Sequence, residues 1–282
     1  MPSIVIAAHN EEAVIGACLD ALARQASPSL PLQIVVCANG CTDRTVAIAS
    51  REGVVVLDLA EPGKSAAINA GDDVATEYPR IYLDADIIAP PDAIAALTER
   101  LASGPPVLVA VPRRRLDVAG RPWPVRAYFA INERLPAFKN GLFGRGMIAL
   151  SLDGRRRFEA FPTLIADDLF LDSQFSDDEK AEVASVEVVV AAPHTTRALL
   201  QRLIRVRRGN EEMRRELGDR ARPSNRWAWL RSVVLPHPHL IVAAVPYVVI
   251  TLTAEILARR SPPEDGGWGR DDTTRRSPLD QG

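Results

Sequence analysis

The sequence predicts an α/β fold with a mostly parallel central sheet, because short apolar runs alternate with helical segments along its first third. Apolar runs typical of buried strands cover residues 3–8, 33–38, 54–57 and 81–83. Helical segments follow them at residues 13–25, 43–51, 64–73 and 91–102. Strands that are joined through helices form parallel sheets with crossover connections, so we expect a Rossmann-like sheet with flanking helices.

Local signals justify these elements in order. The first strand is an uninterrupted apolar run from Ile4 to Ala8. Asn10 is the expected N-cap of the first helix, which carries an apolar stripe at helical spacing. Asn39 and Gly40 form a turn after the second strand. The acidic residues at 72–73 are expected at the solvated end of the third helix.

The pattern changes after about residue 105. A strand is expected at residues 107–111, a basic stretch begins at 113, and a glycine turn at 143–146 enters a further strand. The adjacent carboxylates Asp167 and Asp168 lie between apolar residues. Burial raises the pKa of a carboxyl group, and a carboxylate beside a substrate hydroxyl can act as a general base.

The overall composition bounds the class of protein. The chain has 282 residues, 47% of them hydrophobic and 25% charged, which are ordinary values for a globular protein. Its 34 basic and 36 acidic residues nearly cancel, so we expect no nucleic-acid partner. Three cysteines without matching metal-ligand spacing favour reduced thiols and a cytoplasmic catalytic domain. The chain starts on a strand, so no secretory leader is expected.

Polar side chains follow three of the predicted strands. They are His9 with Asn10, Asn39 with Asp43, and Asp84 with Asp86. Ligands of open α/β sheets bind beyond the carboxyl ends of strands. Since side chains alternate along a strand, Asp84 and Asp86 are expected to point the same way and to offer two hard oxygen donors. Such donors suit Mg²⁺ or Mn²⁺, which in turn binds a diphosphate.

The C-terminal part carries two further features. Arginine is dense from 197 to 231; part of this segment fits an exposed charged helix, whereas the uncompensated cluster at 202–208 suits phosphate or an acidic membrane surface. Residues 240–254 carry no charge, which is marginal for a membrane span. A single span, an interfacial or re-entrant segment and a buried helix all remain open. We therefore divide the chain into a domain at 1–225, an apolar membrane-associated or interfacial segment at 226–260 and a disordered tail at 261–282.

Five stretches together resemble a known family. In order they are Ile6-Ala7-Ala8-His9-Asn10-Glu11-Glu12, Val36-Cys37-Ala38-Asn39-Gly40-Cys41-Thr42-Asp43-Arg44-Thr45, Gly63-Lys64-Ser65-Ala66-Ala67-Ile68-Asn69-Ala70-Gly71, Leu83-Asp84-Ala85-Asp86 and Ala166-Asp167-Asp168. Over about residues 2–210 the chain resembles inverting glycosyltransferases of family 2, which have the GT-A fold. A terminal motif of processive members is absent, so the resemblance is to a non-processive subgroup with a C-terminal hydrophobic segment.

The resemblance implies a nucleotide site at the ends of the first two strands. The segment from Ala7 to His9 would meet the base, Glu12 would hold this loop, and Asn39 would contact the base or ribose. His9 replaces the family's usual aromatic ring and Asn39 its usual Asp. The nucleotide of the donor, a UDP- or GDP-sugar, is therefore left open.

The resemblance also implies roles for charged residues around the diphosphate. Lys64 would approach the phosphates or the sugar, and Arg205 or Arg208 would close over the diphosphate. Asp86 would bind Mn²⁺ or Mg²⁺, together with Asp84, which would also lie near the ribose or sugar.

The remaining implied roles concern the acceptor. Asp168 would be the catalytic base, oriented by Asp167, and the backbone at Gly144 and Gly146 would approach the acceptor or the donor sugar. The implied reaction is a metal-dependent, inverting transfer of a sugar to the hydroxyl of a glycan or lipid-linked acceptor at the inner face of the cell membrane. Two alternatives stay open: a non-catalytic nucleotide-binding or membrane-tethering domain, and a sugar nucleotidyltransferase.

Overall fold

A seven-stranded sheet lies at the centre of the computed structural model, which describes residues 1–25, 30–163, 167–218, 225 and 227–260. The strands appear in the spatial order β3-β2-β1-β4-β6-β5-β7, and β6 is antiparallel to both of its neighbours. All other pairings are parallel, which confirms the predicted mostly parallel sheet. The strands are β1 Ser3–Ala8, β2 Gln33–Asn39, β3 Val54–Leu59, β4 Arg80–Asp84, β5 Val109–Asp117, β6 Met147–Leu150 and β7 Lys180–Ala191.

Ten α-helices surround this sheet in the described part of the chain. They are α1 Ile15–Ala23, α2 Thr45–Ala49, α3 Lys64–Val74, α4 Ala93–Ala102, α5 Trp123–Asn132, α6 Pro136–Asn140, α7 Leu152–Arg155, α8 Asp167–Ser173, α9 Thr196–Leu217 and α10 Ile241–Arg260. Short 3₁₀ turns cover Asp177–Glu179 and Pro238–Leu240, and a π-helical segment covers Trp229–Val234.

Both faces of the sheet are buried, which explains the unbroken apolar runs of its central strands. Ile4 and Ile6 of β1 pack on one side, in a cluster that includes side chains of α1 and α4. Val5 points to the opposite side and packs in a cluster with side chains of α3 and α8. The sheet therefore holds the first residues of α3 and α8 above its carboxyl edge.

The loop between β1 and α1 differs from the expectation. The first helix begins at Ile15, so the prediction that Asn10 is its N-cap is wrong. Asn10 has a left-handed backbone (φ 53°), and its Oδ1 accepts a hydrogen bond from the Thr42 amide at 2.7 Å. The short polar side chain is therefore used to join two strand-end loops instead of a helix terminus.

The C-terminal helix packs along the domain. α10 contacts α5 and α9, and the rings of Tyr128 and Tyr247 stack with their centroids 5.2 Å apart. Within the described residues, Pro238–Arg260 is the one helical stretch long and apolar enough to cross a membrane by length and composition. The predicted disordered tail at 261–282 lies outside the described residues.

Asp72 lies in a buried ion-pair network, so the prediction that it lies at a solvated helix end is wrong. Its Oδ2 accepts hydrogen bonds from Arg155 Nε at 3.0 Å and from the Tyr82 hydroxyl at 2.7 Å, and its Oδ1 pairs with Arg80. The side chains of Asp72 and Arg80 are only 5% and 3% exposed. The helix α3 is thereby fixed to β4 and α7.

Removal of this carboxylate should unfold the protein more easily. We expect Asp72→Ala to lower the free energy of unfolding by about 3–5 kcal/mol, because Arg80 would remain buried without its charged partner. Asp73→Ala on the exposed side of the same helix should change it by less than about 0.5 kcal/mol. Urea unfolding followed by circular dichroism measures both, and equal losses would contradict this account of the network.

Candidate active site

A cleft opens at the carboxyl edge of β1 and β4, and four charged side chains line it. They are Lys64, Asp84, Asp167 and Asp168. Ala7 from the end of β1 and Gly146 from the loop before β6 complete this edge of the cleft. The structure thus brings together residues that are up to 161 positions apart in the sequence, from four of the five stretches that carry the family resemblance and from the glycine turn at 143–146.

Lys64 lies between two of the carboxylates. Its Nζ is 3.0 Å from Asp84 Oδ1 and 2.8 Å from Asp167 Oδ2. Burial alone would lower the pKa of Lys64, but Asp167, Asp84 and Asp168 outweigh that effect and raise its pKa well above the usual range. Lys64 therefore stays charged, and it is one cation shared by three acidic groups.

Asp168 is held by the loop that precedes β6. Its Oδ2 accepts a hydrogen bond from the Gly144 amide at 2.8 Å, and its side chain is partly buried in the first turn of α8. Burial, and then the neighbouring carboxylate of Asp167, raise the pKa of Asp168 to about 7. A carboxyl with such a pKa can both accept and release a proton near neutral pH.

A third carboxylate of α8, that of Asp172, helps to fix this arrangement. Asp172 is buried with Lys180, whose Nζ lies 2.7 Å from Asp172 Oδ1. The same oxygen accepts a hydrogen bond from the Leu142 amide at 3.2 Å. Asp168 and Asp172, both on α8, therefore each bind a backbone amide of the 142–144 segment. These bonds fix the position of the candidate base Asp168 relative to that loop.

The two glycines expected at the acceptor lie beside the acidic groups. Gly144 and Gly146 have left-handed backbones, with φ of 59° and 69°. A Cβ on Gly146 would lie 2.6 Å from Ile87 Cγ1, and the Gly146 carbonyl accepts a hydrogen bond from the Asp84 amide at 2.9 Å. A larger residue at 146 would thus displace the turn that carries Asp84.

Asp84 and Asp86 do not share one strand face as expected. β4 ends at Asp84, and the Ile87 amide donates to the Asp84 carbonyl at 3.1 Å, so the chain turns before Asp86. Asp84 lines the cleft, whereas Asp86 is exposed on the turn. Burial, and then the negative charges of Asp86 and Asp84, raise the pKa of the Cys18 thiol to about 12.

Asp84 and Asp86 are the candidate metal ligands at this edge of the sheet. Among the residues that the structure describes, no group of three or more His, Cys, Asp or Glu side chains is placed to hold a metal ion. Mg²⁺ commonly binds through one or two carboxylates together with substrate phosphates. The carboxylates of Asp84 and Asp86 have the chemistry for such a site, provided that a bound diphosphate supplies further oxygens.

The residues expected at the nucleotide form the neighbouring strand ends. Asn39 is fully buried; its Nδ2 donates to the Ala8 carbonyl at 2.8 Å, and its Oδ1 accepts from the Gly63 amide at 2.9 Å. His9 Nδ1 donates to the Asn39 carbonyl at 2.6 Å. The Asn39 amide thus joins the ends of β1 and β2 to the residue that precedes Lys64.

Glu12 joins the same two loops from outside. Its Oε2 accepts hydrogen bonds from the amide and the Nε of Arg44, at 3.2 and 3.3 Å. Its own amide donates to Asp43 Oδ2 at 3.1 Å. Glu12 therefore links the loops that follow β1 and β2, and it lies before α1 and not within it.

The basic residues of α9 are placed differently from the expectation. Arg205 and Arg208 lie on α9, outside the set of described residues that line the cleft. Sequence reasoning missed Arg114 on β5, whose Nη1 lies 3.1 Å from where a Cβ on Gly144 would be. Burial, and then Arg145 and Arg202, lower the pKa of Arg114. A positive region therefore adjoins the loop that holds Asp168.

Comparisons with known proteins agree with this fold. Residues 3–152 match the model of glycosyl transferase family 2. The undecaprenyl-phosphate 4-deoxy-4-formamido-L-arabinose transferase of Pseudomonas aeruginosa (strain LESB58) is 36% identical over 135 residues, which cover 44% of this chain and 39% of that enzyme. The chain thus spans well under half the length of the curated relative that it matches.

Solved structures share the fold at low sequence identity. A mannosyltransferase from Pyrobaculum calidifontis, in complex with GDP-Man and Mn²⁺, aligns with a TM-score of 0.61 at 18% identity, covering 93% of this chain and 76% of that one. Glucosyl-3-phosphoglycerate synthase from Mycobacterium tuberculosis, with Mn²⁺ and UDP, aligns with a TM-score of 0.54 at 20% identity, covering 77% and 80%.

The seven-stranded, mostly parallel sheet with its flanking helices has the GT-A arrangement. The family model covers more than half of the chain, and the chain belongs to glycosyl transferase family 2. The resemblance noted in the sequence is thereby confirmed.

Proposed function

We propose that this protein transfers a sugar from a UDP- or GDP-sugar to an acceptor hydroxyl, with inversion at the anomeric carbon and with a divalent metal ion. One observation carries the proposal: a lysine and three carboxylates from three separate elements converge on one cleft at the carboxyl edge of the sheet. Family membership favours sugar transfer over the nucleotidyltransferase alternative.

Each charged residue of the cleft has a separate role in the proposed reaction. Asp168 takes the proton of the acceptor hydroxyl as that oxygen attacks the anomeric carbon, and its raised pKa suits this task near neutral pH. Lys64 lines the cleft with its positive charge and would face the departing diphosphate. Asp167 holds Lys64 in place. A single in-line attack of this kind inverts the anomeric configuration.

The metal belongs to the same proposal. Asp86 and Asp84 would hold Mn²⁺ or Mg²⁺ together with phosphate oxygens of the donor. When bound, the ion neutralises charge on the leaving nucleoside diphosphate. Two solved neighbours contain Mn²⁺, which supports this ion as the first to test.

The positive charge beside the candidate base indicates the chemical class of the acceptor. Arg114 lies beside Gly144, whose amide donates to Asp168, and its positive charge suits an acceptor with an anionic group near its hydroxyl. A curated relative acts on undecaprenyl phosphate. We therefore propose a lipid-linked or cell-envelope glycan acceptor at the cytoplasmic face of the membrane, with residues 1–225 as the transferase domain and 226–260 as a membrane-associated segment.

A direct assay tests the proposed reaction. The full chain is incubated with UDP- and GDP-sugars, Mn²⁺ and lipid-linked acceptors, and nucleoside diphosphate release is followed. The anomeric configuration of the product is then read by NMR. Sugar transfer with inversion is the expected result; retention of configuration, or no release from any donor, would count against the proposal.

Metal removal has a specific expected outcome. EDTA should abolish nucleoside diphosphate release, and Mn²⁺ should restore it. Asp86→Asn should raise the Mn²⁺ concentration that gives half-maximal rate by at least about tenfold, because one of the two carboxylate donors is lost. Asp153→Asn, on an exposed helix away from the cleft, is the matched control and should leave that concentration unchanged. Full activity in EDTA would contradict metal dependence.

The pKa of Asp168 predicts the pH dependence of the rate. A general base must be ionised to take a proton, and its pKa is raised to about 7. We expect kcat/KM to be constant above that pH and to fall about tenfold per pH unit below it. Initial rates in a constant-ionic-strength buffer series measure this limb. A rate that stays constant down to pH 5 would mean that the active base has an ordinary carboxyl pKa.

A further inference from the structure

The helix α10 has two apolar faces, and the domain covers only one of them. The covered face carries Ala244, Tyr247, Ile250 and Ala254, all buried against the domain. The other face carries an exposed aliphatic row at helical spacing: Val242, Val245, Val249, Leu252 and Ile256, between 46% and 65% exposed. We refer to these five residues as the outer row.

The outer row is unusual for a helix on the surface of a water-soluble domain. Such helices bury an apolar stripe and present charged or polar residues to water. α10 carries no charged residue before Glu255. An outward face of this composition is stable against an apolar surface and poorly suited to water.

The inward face indicates how the helix meets that surface. Its contacts run from Ala244 to Ala254 along α5 and α9, and Trp229 packs near Tyr247 with ring centroids 6.0 Å apart. A helix that crosses a bilayer needs about 20 predominantly apolar residues, and a spanning α10 would carry the faces of α5 and α9 that pack on it into the bilayer. α10 has only one side free, so it is suited to lie along a surface.

Charged and aromatic groups surround the outer row. Arg259, which pairs with Glu255 at 2.7 Å, and Arg260 end the helix and are exposed. Arg231 is exposed on the segment before it. Trp227 is 58% exposed at the start of that segment. Tryptophan favours the membrane–water interface, and arginine favours anionic headgroups. A second copy of the chain would present the same positive charges, so charge favours anionic lipid.

We propose that α10 is an in-plane membrane anchor whose outer row enters the headgroup region of an anionic bilayer while its inward face stays on the domain. The anchor is placed on the side of the active site. β5 runs parallel to β4 through the antiparallel β6, so both carboxyl ends, and α5 after β5, lie at the edge of the sheet that holds the cleft. The placement of the cleft near lipid rests on the proposed function, which also assigns residues 226–260 to the membrane; the in-plane orientation of α10 rests on its own buried and exposed faces.

The test is co-flotation of the full chain with vesicles of phosphatidylcholine, with and without phosphatidylglycerol. The parent should float with the anionic vesicles. Val245→Glu combined with Val249→Glu should weaken this binding at least about tenfold, because both side chains belong to the outer row. Val55→Glu on β3, at the opposite edge of the sheet and 41% exposed, is the matched control and should bind like the parent.

Two further measurements separate this proposal from its rivals. The double variant should keep the parent's melting temperature, since both replaced side chains are exposed, and an alkaline carbonate wash should release the parent from membranes. Resistance to carbonate would establish a spanning helix instead. A parent that is dimeric by light scattering, with a monomeric double variant, would assign the outer row to a second copy. A parent protein that floats with anionic vesicles but transfers no sugar would reject the proposed sugar transfer and would support the anchor.

Discussion

Asp168→Asn should lower kcat for sugar transfer by about 10²–10⁴-fold, the range over which a positioned general base contributes. The asparagine amide keeps the shape of the side chain, and its Oδ1 can still accept the hydrogen bond from the Gly144 amide. It cannot take a proton from the acceptor. The variant should therefore fold, bind the nucleoside diphosphate with the parent's affinity, and fail in turnover.

The control for this prediction lies on the helix that carries Lys64. Asp73→Asn makes the same chemical change on an exposed position of α3, and it should leave kcat at the parent value. Calorimetric titration of each variant with the nucleoside diphosphate and Mn²⁺ measures binding apart from turnover. If Asp168→Asn transfers sugar at the parent rate, or if it loses nucleotide binding together with turnover, Asp168 is not the base.

The central strands were predictable because burial on both faces leaves an unbroken apolar run. β1 was predicted as residues 3–8 and is found at Ser3–Ala8. The edge strand β7 was missed although it carries a period of two: Val186 and Val188 are buried, and Glu187 and Val189 face outward. The glutamates of β7 interrupt its apolar residues, so the segment lacks the unbroken apolar run of a central strand. Its alternation of buried and exposed side chains follows from its pairing with β5.

Site residues were predictable where chemistry requires acidic groups and unpredictable where tertiary contacts decide. The carboxylates of Asp84, Asp167 and Asp168 were expected at one site, and the structure brings them into one cleft. The surroundings of Asn39 could not be foreseen, because an amide after a strand suits a ligand and a backbone group equally well. Its bond to the Gly63 amide joins residues 24 positions apart, and no local pattern marks that contact.

The positive charge of Lys64 balances the carboxylates of the cleft. Its replacement should therefore have the second large effect on the rate of sugar transfer. Three carboxylates face one ammonium group, with Nζ within 3.0 Å of both Asp84 and Asp167. Lys64→Gln should lower kcat/KM by about 10²–10³-fold, the loss typical of removing one group that stabilises developing negative charge. The same change removes a cation that holds down the pKa of Asp168, so that pKa should rise.

The pH profile distinguishes this electrostatic role from a purely steric one. In Lys64→Gln the fall in kcat/KM at low pH should begin at a higher pH than in the parent, because more of Asp168 is protonated at any given pH. Lys64→Arg keeps the charge and should leave the position of that limb unchanged, although the broader guanidinium will lower the plateau. An unshifted limb in Lys64→Gln would show that Lys64 and Asp168 are not electrostatically linked during turnover. A limb that shifts equally in both variants would assign the effect to shape, since charge differs between them and shape is disturbed in each.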